Sequence, residues 1–222
     1  FRAFGIAQAT AAMEQMVDML AEKTGLSSLE IRRINAVNRG DKTPLGVTLQ
    51  TSTGIGQCLE ILRNHRMWRD RTVWKNKAGP FKKRGVGLAA VMHGMGYGPV
   101  IPDVANARIE LTRDGCFQVA CGVVDMGQGN ASTFLQIAGD ILSQNMKHLV
   151  FVLPDTARTL PSGSASASRT TYTYGNALIK AVFLLKERIL KRCVDLMMVS
   201  DLGELALIPG AVYHVTTRKE FS

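Results

Sequence analysis

Between Pro161 and Thr171 the chain holds almost nothing but Gly, Ala, Ser and Thr, with one arginine, Arg169. Small side chains let a ligand approach the backbone, and the N–H groups at a helix start point at anions. The stretch lies between an apolar strand pattern and an apolar helix pattern, which suits a cradle for a phosphate-bearing cofactor. A flexible Ser-rich linker is the alternative, and the loop's shortness and flanks weigh against it. Two more turns have the same character. Phe1-Arg2-Ala3-Phe4-Gly5 precedes a helix that opens near Gln8, and Gly127-Gln128-Gly129 lies between a strand and a helix. Each is expected to offer free backbone N–H groups at the positive end of a helix dipole. Three such ends brought to one side would hold a polyanionic cofactor. Neither a Walker loop nor a Rossmann fingerprint occurs. Cysteines 58, 116, 121 and 193 form no Cys-x-x-Cys pair, and histidines 65, 93, 148 and 214 are as scattered. No zinc or iron–sulfur framework is predicted, and reduced thiols point to the cytoplasm.

The elements that must position these turns follow from periodicity. Residues 6–24 predict a helix with Met13, Met16, Val17 and Leu20 on one face and Gly25 as its stop. Ser27 and Glu30 form a capping box for a second helix running to about Asn38. Ile55, Cys58, Leu59 and Leu62 mark a third. Residues 85–97, Gly-rich and apolar, fit a buried strand. Residues 104–113 and 116–124 flank Asp114-Gly115, a two-residue hairpin signal. Phe134, Ile137, Ala138, Ile141 and Leu142 fit a helix just after Gly129. His148 to Leu153 is a short strand, and Leu178 to Leu196 a last long helix. No pattern is clear after Asp201. The order predicts an α+β fold, with helices packed on a mixed or antiparallel sheet.

The 222 residues carry a net charge of +9, concentrated over residues 63–84, where nine Lys or Arg accompany one Asp. Trp68, Trp74 and Phe81 lie within that segment. Basic residues interleaved with aromatics could bind single-stranded nucleic acid. A solvated linker, or a surface meeting an acidic partner, explains them without a nucleic-acid signature, and is preferred. No run is long and apolar enough to span a membrane. The first residue is Phe, and no signal peptide is legible.

Phe1 to Gln8, with Leu29-Glu30-Ile31-Arg32-Arg33-Ile34-Asn35, resembles the molybdopterin-binding subunit of xanthine dehydrogenases and aldehyde oxidases. Asp125-Met126-Gly127-Gln128-Gly129 is similar to that family's second Gly-Gln-Gly turn, and Asp155 to Gly175 to its later cofactor loop. The resemblance runs from residue 1 to about 198, with the motifs in the family's order. It implies an internal portion of a molybdenum-cofactor-binding domain in an enzyme that hydroxylates an N-heterocycle or aldehyde with oxygen from water. Molybdenum would be held by the dithiolene of its pterin, in mononucleotide-free or dinucleotide form. Electrons would leave to 2Fe–2S clusters and FAD on partner domains or subunits. By residue, the resemblance assigns Arg2, Ala3, Gly5, Gln128, Gly129, Ala167, Ser168, Arg169 and Thr170 to the cofactor. It assigns Phe4 and Tyr97 to the walls of the substrate pocket.

The patterns along the chain divide it into a helical part over 1–66, a basic linker over 67–84, an α+β part over 85–200 and an irregular tail over 201–222, and the resemblance places the first cofactor loop in the first part and the molybdenum-cofactor-binding part over 85–200. The family's Glu base, in a Gly-x-Gly-Glu motif, has no counterpart, and Leu202-Gly203-Glu204 is a faint echo. No catalytic residue is therefore assigned in this chain, and alone it is expected to be inactive, since a general base contributes about 10²–10⁴-fold. An apolar surface and self-association are expected where neighbouring segments would lie. The rival readings are a non-catalytic remnant of the fold and a basic nucleic-acid-binding module.

Overall fold

Gly25, at φ 71°, stops the first helix, α1 (Ile6–Thr24), where the sequence predicts. The computed structural model describes residues 5–97 and 101–222. They form two compact units, Phe1–His93 and Gly94–Ser222. In the first, Ser27 Oγ accepts the Glu30 N–H at 3.1 Å and opens α2 (Ser28–Ile34). That helix ends earlier than expected. The Asn35 side chain donates to the Ile31 carbonyl at 2.7 Å, a local bond that competes with further helical turns. Helix α3 (Ile55–Asn64) follows.

The expected basic linker is not bare chain, for it folds into α4 (Arg66–Arg69) and α5 (Arg71–Asn76). His65 Nδ1 caps α4 by accepting the Met67 N–H at 3.2 Å. The guanidinium of Arg71 lies 4.1 Å from the centre of the Trp68 ring, and that of Arg84 5.0 Å from Trp74. Both indole faces are thus engaged by the segment's own cations.

The apolar core of the first unit is thin: Ala21, Leu29, Ile31 and Leu59. The predicted Met13–Met16–Leu20 face of α1 is exposed rather than buried, because among the described residues nothing in this unit covers it. A buried arginine does much of the joining. Arg32 Nε and Nη1 bond Glu14 and Asp18 of α1, both at 2.7 Å. Glu14 also accepts the Ala90 N–H at 2.8 Å. Residues 85–97 are accordingly not the expected strand: at Ala90 a side chain, not a neighbouring strand, takes the backbone N–H. The division between units falls at His93–Gly94, beyond the predicted linker.

The second unit is built on a mixed sheet. Strands β1 (Arg108–Leu111) and β2 (Phe117–Ala120) pair antiparallel, and β2 pairs parallel with β3 (Leu149–Val152). The hairpin at Asp114-Gly115 is present, but Thr112 N–H to Cys116 O at 2.8 Å makes the loop three residues long, with Gly115 at φ 80°. The crossover between the parallel strands carries α6 (Asn130–Leu142). After β3 comes α7 (Thr170–Met197), which lies along α6 in the same direction. Tyr174 meets Phe134 near the starts of both helices, and Lys186 Nζ donates to the Ile141 carbonyl further along. Val119, Cys121, Phe134, Ala138, Leu142, Tyr174, Leu178 and Val182 form a core closed to solvent.

The expected irregular tail is a second sheet: β4 (Leu205–Ile208), β5 (Ala211–His214) and β6 (Glu220–Phe221), all antiparallel. Pro209-Gly210 turns β4 into β5, with Gly210 at φ 79°. Leu205, Leu207 and Val212 join the core. Among the described residues no helix is long and apolar enough to cross a membrane.

Candidate cofactor site

Both Gly- and Ser-rich loops of the second unit leave the C-terminal ends of the parallel strands β2 and β3 and enter α6 and α7. Crevices at such strand ends, beside helix N-termini, are where α/β sheets gather ligands. The two loops differ in what they offer.

The Gly127-Gln128-Gly129 turn bonds itself. Asp125 Oδ1 accepts the N–H groups of Gly127 (2.9 Å) and Gly129 (3.3 Å), and Oδ2 that of Ala131 (3.0 Å). The Ala131 bond, then the Gly127 bond, hold the Asp125 carboxyl below its ordinary range. Gln128 spans the same loop. Its Oε1 accepts the Met126 N–H and its Nε2 donates to the Val124 carbonyl at 3.1 Å. The expected free amides at the start of α6 are therefore largely occupied by a carboxylate. Gly127 and Gly129, at φ 98° and 82°, take a backbone form that favours glycine.

The 161–171 loop is the opposite. Its first residues are stitched down: Ser162, buried, donates to the Asn106 carbonyl at 2.6 Å, and Asn106 Nδ2 donates to the Pro161 carbonyl at 2.7 Å. From Gly163 to Ser168, no backbone N–H finds an acceptor among the described residues. Ala167 and Ser168 both adopt left-handed φ, 54° and 50°. Two consecutive non-glycine residues there store backbone strain, which functional loops tolerate when their surroundings enforce it. Left-handed Ser168 followed by right-handed Arg169 (φ −99°) is the backbone pairing of a nest, in which the Arg169 N–H here already donates to the Ser166 carbonyl at 3.3 Å.

Three segments meet beside this nest. The Gly96 N–H donates to the Ala167 carbonyl at 2.9 Å. Tyr97 Oη hydrogen-bonds Ser164 and Ser166, and these hydroxyls, Ser164 foremost, hold the phenol below its ordinary range. Arg169 is 2% exposed, and its Nε pairs with Asp103. Its Nη1 donates to the Ser164 carbonyl at 2.9 Å and its Nη2 to the Val104 carbonyl at 3.0 Å. Met95, Gly96, Tyr97, Asp103, Arg169, Tyr172 and Thr173 line a recess of about 210 Å³.

Of the residues predicted from sequence, Tyr97, Ala167, Ser168 and Arg169 come together here, and Thr170 opens α7 beside them. Gln128 and Gly129 lie in the self-bonded turn. Gly5 caps α1 in the first unit, its N–H donating to Gln8 Oε1 at 3.2 Å. Arg2, Ala3 and Phe4 lie outside the described residues. Asp103 joins the site from a stretch in which no local sequence signal marks it. Asp125 is not the N-cap, which is Gly129, but its carboxylate reaches forward over the turn to the first N–H groups of α6. Among the described residues no group of three His, Cys, Asp or Glu could hold a metal ion directly.

Small-residue loops at the ends of parallel strands, under paired parallel helices, define a ligand-binding α+β domain. The family model described as molybdopterin cofactor-binding domain matches residues 61–221, and a second model of that description matches residues 1–36. The chain belongs to this molybdopterin cofactor-binding family, as the resemblance in its motifs implies. It is 32% identical over 221 residues to the xanthine dehydrogenase molybdenum-binding subunit of Escherichia coli O157:H7, covering 99% of this chain and 29% of that protein. It is 32% identical over 196 residues to the aldehyde oxidoreductase of Megalodesulfovibrio gigas, covering 87% and 21%. The crystal structure of the aldehyde oxidoreductase from Desulfovibrio desulfuricans ATCC 27774 superposes with a TM-score of 0.76 at 29% identity, over 83% of this chain and 20% of that one. The chain thus spans under a third of the length of these relatives.

Proposed function

We propose that the chain supplies cofactor-holding loops to a molybdenum hydroxylase of the xanthine dehydrogenase type, acting on an N-heterocycle or an aldehyde. The observation that carries this is the contrast between the two loops. Among the described residues the 163–168 backbone N–H groups find no acceptor around a strained nest, whereas the Gly127–Gly129 turn satisfies its own. Such a nest fits the phosphate of a pterin cofactor, or of its dinucleotide form. When bound, the molybdenum pterin would supply the two-electron oxidation and the oxygen-transfer chemistry. The chain's own residues bind and orient. Ala167, Ser168 and Thr170 aim N–H groups at the anion. Gln128 shapes the neighbouring turn and keeps one amide hydrogen for the ligand. Tyr97, 38% exposed, offers an aromatic wall to the substrate, with Phe4 proposed opposite. Arg2, Ala3 and Gly5 are proposed to complete the cofactor contacts.

No general base is assigned among these 222 residues. The complete enzyme would draw that group, 2Fe–2S clusters and FAD from other segments or subunits, in the cytoplasm. A remnant fold that binds no cofactor is the rival. Nucleic-acid binding finds less support, since Trp68 and Trp74 already stack on Arg71 and Arg84.

Elemental analysis of the full-length protein from its own host tests the reading. Stoichiometric molybdenum is expected. Gln128→Ala should lower molybdenum retention with little change in melting temperature, and Phe4→Ala should keep the metal and slow turnover. The 222 residues alone should not turn over purines, nicotinate or aldehydes. Metal-free full-length protein, or robust turnover by the 222 residues alone, would overturn it.

A further inference from the structure

We propose that Asp103 is a positioning residue: acting through Arg169, it locks Tyr97 and the 163–168 loop into one rigid piece, and the shape of that piece, not the charge of Arg169, is what retains an anionic cofactor. The inference rests on the function proposed above.

The geometry makes Arg169 the centre of the recess and Asp103 its anchor. A buried guanidinium needs a counter-charge and acceptors for its N–H groups. Asp103 supplies the charge at Nε, and the Ser164 and Val104 carbonyls supply the acceptors at Nη1 and Nη2. The fork therefore ties the loop backbone at Ser164 to the segment at 103–104. Two glycines lie close against the pair. At Gly163, φ 74°, a Cβ would come 2.5 Å from Arg169 Nη1, and at Gly96 one would come 3.1 Å from Asp103 Oδ2. The Arg169 charge also lies 5.6 Å from the centre of the Tyr97 ring, whose hydroxyl reaches Ser164 and Ser166. Pocket wall and nest thus share one support. A planar fork with three separate acceptors is a task for arginine, and lysine's point charge cannot do it. A phosphate contact, by contrast, is one that lysine makes well.

That difference sets the test, made on the full-length protein as Asp103→Asn, Asp103→Glu and Arg169→Lys. Two quantities are read: molybdenum per polypeptide, and hydrogen exchange of the Gly96 and Arg169 amides, which donate to the Ala167 and Ser166 carbonyls. Asp103→Asn and Arg169→Lys should both speed exchange at these two amides at least tenfold, with β2 and α7 core amides unchanged. Both should lose at least nine-tenths of the molybdenum. Asp103→Glu, which keeps the counter-charge, should retain half or more of it. Arg169→Lys that keeps its molybdenum, or Asp103→Asn that keeps both metal and amide protection, would overturn the proposal. If Asp103→Asn also loses core protection, Gly163→Ala decides: it crowds the fork without removing a charge, and slow exchange at Gly96 and Arg169 in that variant overturns the lock. A parent protein without molybdenum would defeat the cofactor reading alone, and the exchange data would still judge the lock.

Discussion

Arg32→Ala should weaken the first unit and leave the stability of the second unchanged. The arginine side chain is 3% exposed and makes four bonds: to Glu14 Oε2, Asp18 Oδ1 and the Ser28 carbonyl at 2.7 Å each, and to the Glu14 carbonyl at 3.2 Å. Removing one member of a buried ion pair costs about 3–5 kcal/mol, because the other is left charged and unpaired. Glu14, 15% exposed, keeps its bond from the Ala90 N–H, so the lower figure of about 3 kcal/mol applies. The Asp18 arm is different. Its side chain is 50% exposed, so water screens the pair and Asp18→Asn should cost only about 0–1 kcal/mol. Small domains hold about 5–15 kcal/mol in all, and with four buried apolar side chains this unit belongs near the bottom of that range. Losing about 3 kcal/mol then moves a urea midpoint by roughly 2 M for a unit of this size. Both tryptophans of the chain, Trp68 and Trp74, lie in Phe1–His93, so indole fluorescence reports this unit alone. Circular dichroism reports both units, so Arg32→Ala should split one signal from the other. Arg32→Lys should recover little, since a lysine cannot reach four acceptors at once. A fluorescence midpoint unmoved by Arg32→Ala, or moved as far by Asp18→Asn, would refute the reasoning.

Asp125 should titrate below the ordinary aspartate value of about 3.9, because the Ala131 and Gly127 N–H groups favour its charged form. A depressed folded pKa means the stabilisation is complete above about pH 4 and is lost as pH falls through the folded value; a side-chain carboxyl NMR titration with a midpoint at or above 4 would contradict the capped turn. Tyr174→Phe removes a fully buried hydroxyl that donates to the Ala120 carbonyl at 2.8 Å. It should cost about 1 kcal/mol, a fall of roughly 4 °C in the melting temperature of the second unit, and calorimetry showing no change would mean that the bond does not hold α7 to the end of β2.

Much of the scaffold was legible because it depends on near neighbours in sequence. Ser27 caps α2 through the Glu30 N–H, while the Glu30 carboxylate turns to Arg33 and leaves the expected capping box half-made; Gly25 ends α1, and Asp114-Gly115 turns the hairpin; each needs only residues a few positions away. The small-residue loop and the Gly-Gln-Gly turn were legible as well, since their composition is itself the signal. Pro209-Gly210 and the alternating Leu205, Leu207 and Val212 are equally local signals and mark the sheet that replaces the expected irregular tail. Tertiary structure decided the rest. Whether a helix-start amide is free depends on what reaches it, and at α6 Asp125 reaches it first. Whether Arg169 meets a phosphate or its own loop depends on Asp103, 66 residues earlier and unmarked by any spacing. The Met13–Met16–Leu20 stripe shows the same limit: periodicity tells which residues share a face of α1, but burial requires a partner, and among the described residues of the first unit that face has none. Sequence patterns encode torsions and faces; pairing across long stretches of chain is settled only when the packed core brings the groups together.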